Sequence, residues 1–158
     1  MHRQRGVTAV EFAILAALLM TLLLGVIEFG RALFVANALA ESTRRGARMA
    51  AVCPVGDTRP AQVAIFANAG GASRVAPDLT TANVEVSYLN ASGAVLANPG
   101  GSFASIRYVR VRIVGYTQRM MIPFAMPEFL MPSFTATLPI ESLGYSPTQQ
   151  AFIACTAV

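Results

Sequence analysis

Few side chains in this sequence can do chemistry, and their numbers narrow the choice. There is one His, His2, and there are two Cys, Cys53 and Cys155. A His-based catalytic constellation or a Cys/His zinc site needs more donors than that. Ser/Thr or carboxylate catalysis has no recognisable spacing here. The sequence therefore predicts no enzyme, no metal and no cofactor. The residue that stands out is Glu11, a lone carboxylate inside "RGVTAVEFAILAALLMTLLLGVIEFG", five residues after Gly6 and beyond Arg3 and Arg5. A charge in a bilayer-spanning run costs roughly 2.5–3.5 kcal/mol on insertion scales, less near an interface. An acid placed there calls for a partner.

The element that positions Glu11 is a helix. Val7 to Ile27 carries Glu11 as its one charge, and a helix of that length spans roughly 32 Å, enough to cross a bilayer core. Arg3 and Arg5 precede it, so the positive-inside rule keeps that end cytoplasmic and sends the rest outward. Apolar residues make up 54% of the chain and charged residues 13%, against about 25% charged in typical soluble domains. A membrane segment accounts for the gap. The formal charge is +4, and every basic residue is Arg. No basic patch with interleaved aromatics appears, so a nucleic-acid partner is not expected.

No proline occurs before Pro54, so the helix should run on to about Val52, with Gly25, Gly30 and Gly46 weakening it or permitting bends. Its outer half is amphipathic. Ala32, Val35, Leu39, Ser42, Gly46, Met49 and Cys53 fall on one stripe, which needs a covering domain. Glu41 and Arg45 are spaced for an i,i+4 pair, and Glu28 and Arg31 for an i,i+3 pair that marks where the helix leaves lipid.

Beyond Pro54 the pattern predicts a short helix, capped by Thr58, with Pro60 in its first turn, Val63 and Phe66 facing the core and Gly70-Gly71 ending it. From Asn83 the period changes to two: Val84, Val86 and Tyr88 share a face, "NASG" signals a hairpin turn, and "AVLA" returns. Ile106 to Val114 reads as the best strand, with Val109, Val111 and Ile113 inward. Arg110 and Arg112 face out, either as solvated charges or as partner contacts. Gly115 allows a turn into "YTQRM". The broken run "MMIPFAMPEFLMPSF", with Met126 and Phe129, either folds over the core or forms an adaptable contact surface. Thr135 to Glu141 reads as the last strand. The fold class is α+β: a long N-terminal helix, transmembrane then amphipathic, with a small antiparallel-sheet head. The expected boundaries are a leader at 1–6, a transmembrane half at 7–27, an amphipathic half at 28–52 and a head at 53–158.

Cys53 ends the stripe and Cys155 lies near the C-terminus. In an oxidising compartment a bond between them would close a loop of about 100 residues, nominally worth about 4–5 kcal/mol in the chain-entropy model. The alternative is two free thiols.

A short basic leader, Gly6, then Glu11 and Phe12 opening an apolar helix resembles the prepilin signature. The longer pattern "RGVTAVEFAIL…LLLGVIEFGRAL" resembles the TadE-like minor pseudopilins of tight-adherence (Tad/Flp) pilus systems. The resemblance covers residues 3 to about 52. It implies cleavage between Gly6 and Val7 by a prepilin peptidase, and a bacterial inner-membrane protein with a periplasmic head that joins an extracellular pilus on assembly. It also implies three partners: other pilin or pseudopilin subunits, the peptidase, and the inner-membrane assembly platform. Cleavage would create an α-amino group at Val7, about 6 Å along the helix from the Glu11 carboxylate. A neighbouring subunit's amine at about 4 Å would attract that carboxylate by on the order of 4 kcal/mol at an effective dielectric of 20, before desolvation. Glu11, with Phe12, would then set subunit register.

Three other readings compete. In an uncleaved anchor, Glu11 merely gains about 0.3–1 kcal/mol from the helix dipole. A filament-tip adhesin would use its head to bind a ligand. A cleaved signal peptide would use A-x-A sites at Ala36–Ala38 or Ala38–Ala40, but Glu28 and Arg31 separate these from the apolar run.

Overall fold

The structure is a computed structural model that describes residues 4–67, 71, 73–121 and 128–155. Helix α1 (Gln4–Val52) is 49 residues long, about 73 Å at 1.5 Å per residue. It passes through Gly25, Gly30 and Gly46 as one helical run. Its most apolar window is 0% buried within the molecule. From Glu28 onward one face of the helix is covered by the head, while Asn37, Arg44, Arg45 and Arg48 stay exposed.

The order of elements after α1 is α2 (Arg59–Ala64), β1 (Val84–Leu89), β2 (Tyr108–Ile113), β3 (Thr117–Arg119), β4 (Glu128–Leu130), β5 (Phe134–Pro139), β6 (Tyr145–Ser146) and β7 (Ala151–Phe152). The main sheet is antiparallel in the order β1-β2-β5, and β3-β4 and β6-β7 form separate two-stranded pairs. This is the expected α+β architecture. β2 is central because its alternation is the cleanest: Val109, Val111 and Ile113 are buried, and their neighbours Arg110 and Arg112 are only partly covered. The buried face of β2 lies against α1.

Two core clusters follow the helix axis. The first joins Val35 and Leu39 to Ile65, Leu79, Ile113, Tyr116 and Met131. The second joins Ala47, Ala50 and Ala51 to Tyr88, Ile106, Val109, Val111 and Leu143. Small residues on the upper half of α1 let the sheet approach closely. Gly46 is the tightest point: a Cβ there would lie 2.8 Å from Ala64 Cβ and 3.2 Å from Val111 Cγ1. The end of α1 is closed by the chain that follows β5. Ala51 O accepts from the backbone N–H groups of Glu141 and Leu143, at 3.0 and 3.3 Å, which satisfies a last-turn carbonyl that the helix itself leaves open.

Several expectations need correction. The buried stripe of α1 is wider than the seven residues of the sequence pattern and includes Thr43, Ala47, Ala50 and Ala51, because α2 covers one flank and the sheet another. Glu41 pairs with Arg44 (3.6 Å), not Arg45. The Arg45 guanidinium instead sits 4.4 Å from the centre of the Phe66 ring, a cation–π contact. Thr58 makes no side-chain cap; Asp57 Oδ1 accepts from Arg59 N at 2.8 Å in its place. α2 buries Pro60 and Ala64, whereas Val63 and Phe66 are only half-buried. Phe66 has a positive φ of 52°, which ends the helix before the expected glycines and turns the ring towards Arg45. Gly70 lies outside the described residues.

"NASG" does turn. Asn90 Oδ1 accepts from Ser92 N and Ala94 N. The returning "AVLA" makes only a single bridge, Leu89 to Val95, because Asn98 and Pro99 then take the chain into a loop. β5 is not the last strand, since β6 and β7 follow it.

Candidate functional site

The described chemistry-bearing residues fall at three levels along α1. The lowest level is the N-terminal one. Helix α1 begins at Gln4, so the Gly6–Val7 bond lies inside its first turns. Gly6, Val7, Glu11 and Phe12 are all exposed, and Phe12 is 72% so. Among the described residues, no part of the head reaches this level. A side chain at Gly6 would meet nothing within 4 Å.

The second level is where the apolar run ends. Glu28, on α1, is only 5% exposed. Its Oε1 accepts from Arg31 Nη2 at 2.7 Å, the i,i+3 pair that the spacing predicts. Its Oε2 accepts from Met121 N at 3.2 Å, and Arg31 Nη2 also donates to Arg119 O. The β3-β4 pair is thereby tied to α1 by a carboxylate and a guanidinium acting on main-chain groups. The hydrogen bond from Arg31 holds the Glu28 carboxyl below its ordinary value, against the opposing push of burial. A simple interfacial charge would be solvated; this one is covered by the hairpin that it holds. The long-range partners, Arg119 and Met121, were not legible because both bonds go to backbone atoms.

The third level is the far end of the helix. Cys53 and Cys155 are joined by a disulfide with Cα atoms 5.5 Å apart. Asp57 lies beside it and its Oδ2 accepts from Cys155 N at 3.1 Å. Asp57 thus holds the start of α2 with one oxygen and the C-terminal segment with the other. Sequence reasoning missed it, although an Asx residue two positions before a helix start was an available signal. Cys53, Asp57 and Cys155 are close enough together to suggest a metal site. With the sulfurs bonded to each other and the carboxylate engaged by two N–H groups, the set lacks the thiolates that such a site requires.

The two strand arginines are used within the sheet. Arg112 Nη1 lies 3.5 Å from Glu85 Oε2 and Arg110 Nε 3.4 Å from Thr137 Oγ1. Both partners sit directly opposite in the strand register. Phe129 is on β4, 46% exposed, opposite Gln118. Met126 lies outside the described residues. The structure does not bring Arg110 and Arg112 together with Phe129 in one site.

Taken together, the described residues form one apolar N-terminal helix long enough for single-pass anchoring, carrying a small head with an antiparallel sheet on its outer half. Residues 6–48 match a family model described as TadE-like protein. Most of helix α1 is therefore similar to the TadE-like family that the sequence resembles, and the match does not extend into the head. No curated protein matches the chain, and no solved structure does.

Proposed function

We propose that this chain is a minor pseudopilin, a non-catalytic assembly component of a tight-adherence pilus. In this proposal a prepilin peptidase cuts between Gly6 and Val7 on the cytoplasmic face of the inner membrane. The freed Val7 amine of one subunit meets Glu11 of the next, and Phe12 packs beside that contact. The head lies in the periplasm and decides which pilin-like subunits or platform components the protein joins. After assembly it travels with the filament.

The observation that carries this proposal is the TadE-like match over the helix that holds Gly6, Glu11 and Phe12. Their exposure supports it: an apolar face that the described part of the head leaves bare is available to lipid first and to other helices later. N-terminal sequencing of the protein recovered from the cell envelope tests it. Val7 as first residue is the expected result, and Met1 or Leu39 would overturn it. Glu11→Ala should still insert and be cut, yet co-purify poorly with its pilin-like partners. Normal assembly of that variant removes the register role.

A further inference from the structure

Where α1 leaves its apolar run, a groove of about 540 Å³ opens between the helix and the β3-β4 pair. Gly25, Phe29 and Leu33 form one wall, and Gln118, Met120 and Phe129 the other. The surface around it is strongly apolar. Phe29 is 67% exposed, Met121 68% and Leu130 64%. Exposed apolar side chains gathered at one height on the molecule mark an interaction surface.

Its height along α1 says what covers it. A hydrocarbon core of about 30 Å takes about 20 helical residues, and counted from Val7 it ends near Val26. The headgroup layer beyond is about 5–7 Å thick on each side, a rise of a further four or five residues. Glu28 and Phe29 fall within that band, with Gly25 just inside the hydrocarbon edge and Leu33 just above the band. The hydrogen bonds from Arg31 and to Glu28 fix the β3-β4 pair at the same height. The groove is thus continuous with the lipid-facing side of the membrane-spanning helix.

We propose that the β3-β4 pair is a second membrane contact: it lies on the outer surface of the bilayer that α1 crosses, with Met121, Phe129 and Leu130 immersed in the interface and a phospholipid acyl chain in the groove. The proposal rests on the membrane-anchored reading of α1. Exposed apolar side chains that lie flat at the interface bind in proportion to the area that they bury there. Docking the hairpin through Glu28 sets the head upright on the membrane, with the Cys53–Cys155 end farthest from it.

The chain contains no Trp, so one introduced Trp is a clean reporter. The full-length chain is reconstituted in phosphatidylcholine vesicles, with and without brominated acyl chains, as four single variants: Phe129→Trp, Leu130→Trp, Leu15→Trp and Phe152→Trp. Positions 129 and 130 are exposed enough to take the larger ring without repacking. The expected result is quenching at 15, 129 and 130 that exceeds that at 152 several-fold. Quenching at 15 with none at 129 or 130 overturns the proposal and leaves the membrane span standing. No quenching at 15 removes both together. An emission shift at 129 that follows protein concentration, and not bromination, overturns the proposal in favour of a protein helix as the occupant.

Discussion

At the scale of single residues, one atom of space decides the contact between α1 and the head. Gly46 is the place where α1, α2 and β2 converge, and a Cβ there would come within 2.8 Å of Ala64. Gly46→Val should cost about 1–3 kcal/mol through overpacking, more than any helix-propensity gain, read as a lowered thermal midpoint. Gly46→Ala should show the same sign at smaller size. A stabilised Gly46→Ala would show that the two helices can part. Tyr116 offers a second test. It is buried, with its hydroxyl donating to Pro77 O at 2.9 Å, and Tyr116→Phe should cost about 1 kcal/mol. Burial, then the nearby Asp78 carboxylate, pushes its ionisation up, with Arg31 opposing. Tyr88 is pushed up as well, by burial first. For a group whose folded pKa is raised, the stabilisation is complete below the unfolded value near 10 and is lost as pH rises through the folded value. The head should therefore loosen on the alkaline side of pH 10. A phenolate absorbance titration that tracks the loss of near-ultraviolet circular dichroism would show it, and Tyr116→Phe should weaken the coupling.

At the scale of elements, the fastening of the C-terminal segment can be measured. The disulfide closes a loop with a sequence separation of 102, worth about 4–5 kcal/mol in the chain-entropy model. Cys155→Ser should lower the unfolding midpoint and free β6 and β7, read as faster amide exchange in Tyr145–Phe152. Two alkylatable thiols on protein taken from the envelope would refute the bond. The elements differ in how legible they were. Helix α1 and strand β2 could be read because each has one dominant period, 3.6 or 2, sustained over its length. The limits of α2 could not, because Phe66 adopts a positive φ that no local pattern signals. β6 and β7, two residues each, make a ladder too short for any periodicity to show. The site residues divide the same way. Glu28–Arg31 is a local pair and was visible in the spacing. The grip of Glu28 on Met121 and of Asp57 on Cys155 acts on backbone N–H groups nearly a hundred residues away, where side-chain identity carries no signal.

At the scale of the whole molecule, the head is attached to α1 at both ends. Glu28 and Arg31 hold β3-β4 near the end of the apolar run, and Cys53–Cys155 with Ala51 O holds the far end. Glu28→Gln removes the charge on one side of the lower tie and should cost about 1–3 kcal/mol, with the loss confined to β3-β4 in an amide-exchange map. If the whole head loosens instead, the lower tie is integral to the core. Between the two ties lie both hydrophobic clusters, so the outer half of α1 has no free segment about which the head could swing. A push or twist delivered to the apolar half of the helix should therefore reach the head through both ties, as through a crankshaft keyed at two journals. If the chain assembles as proposed, a lift or turn of the helix would carry the head by the same amount.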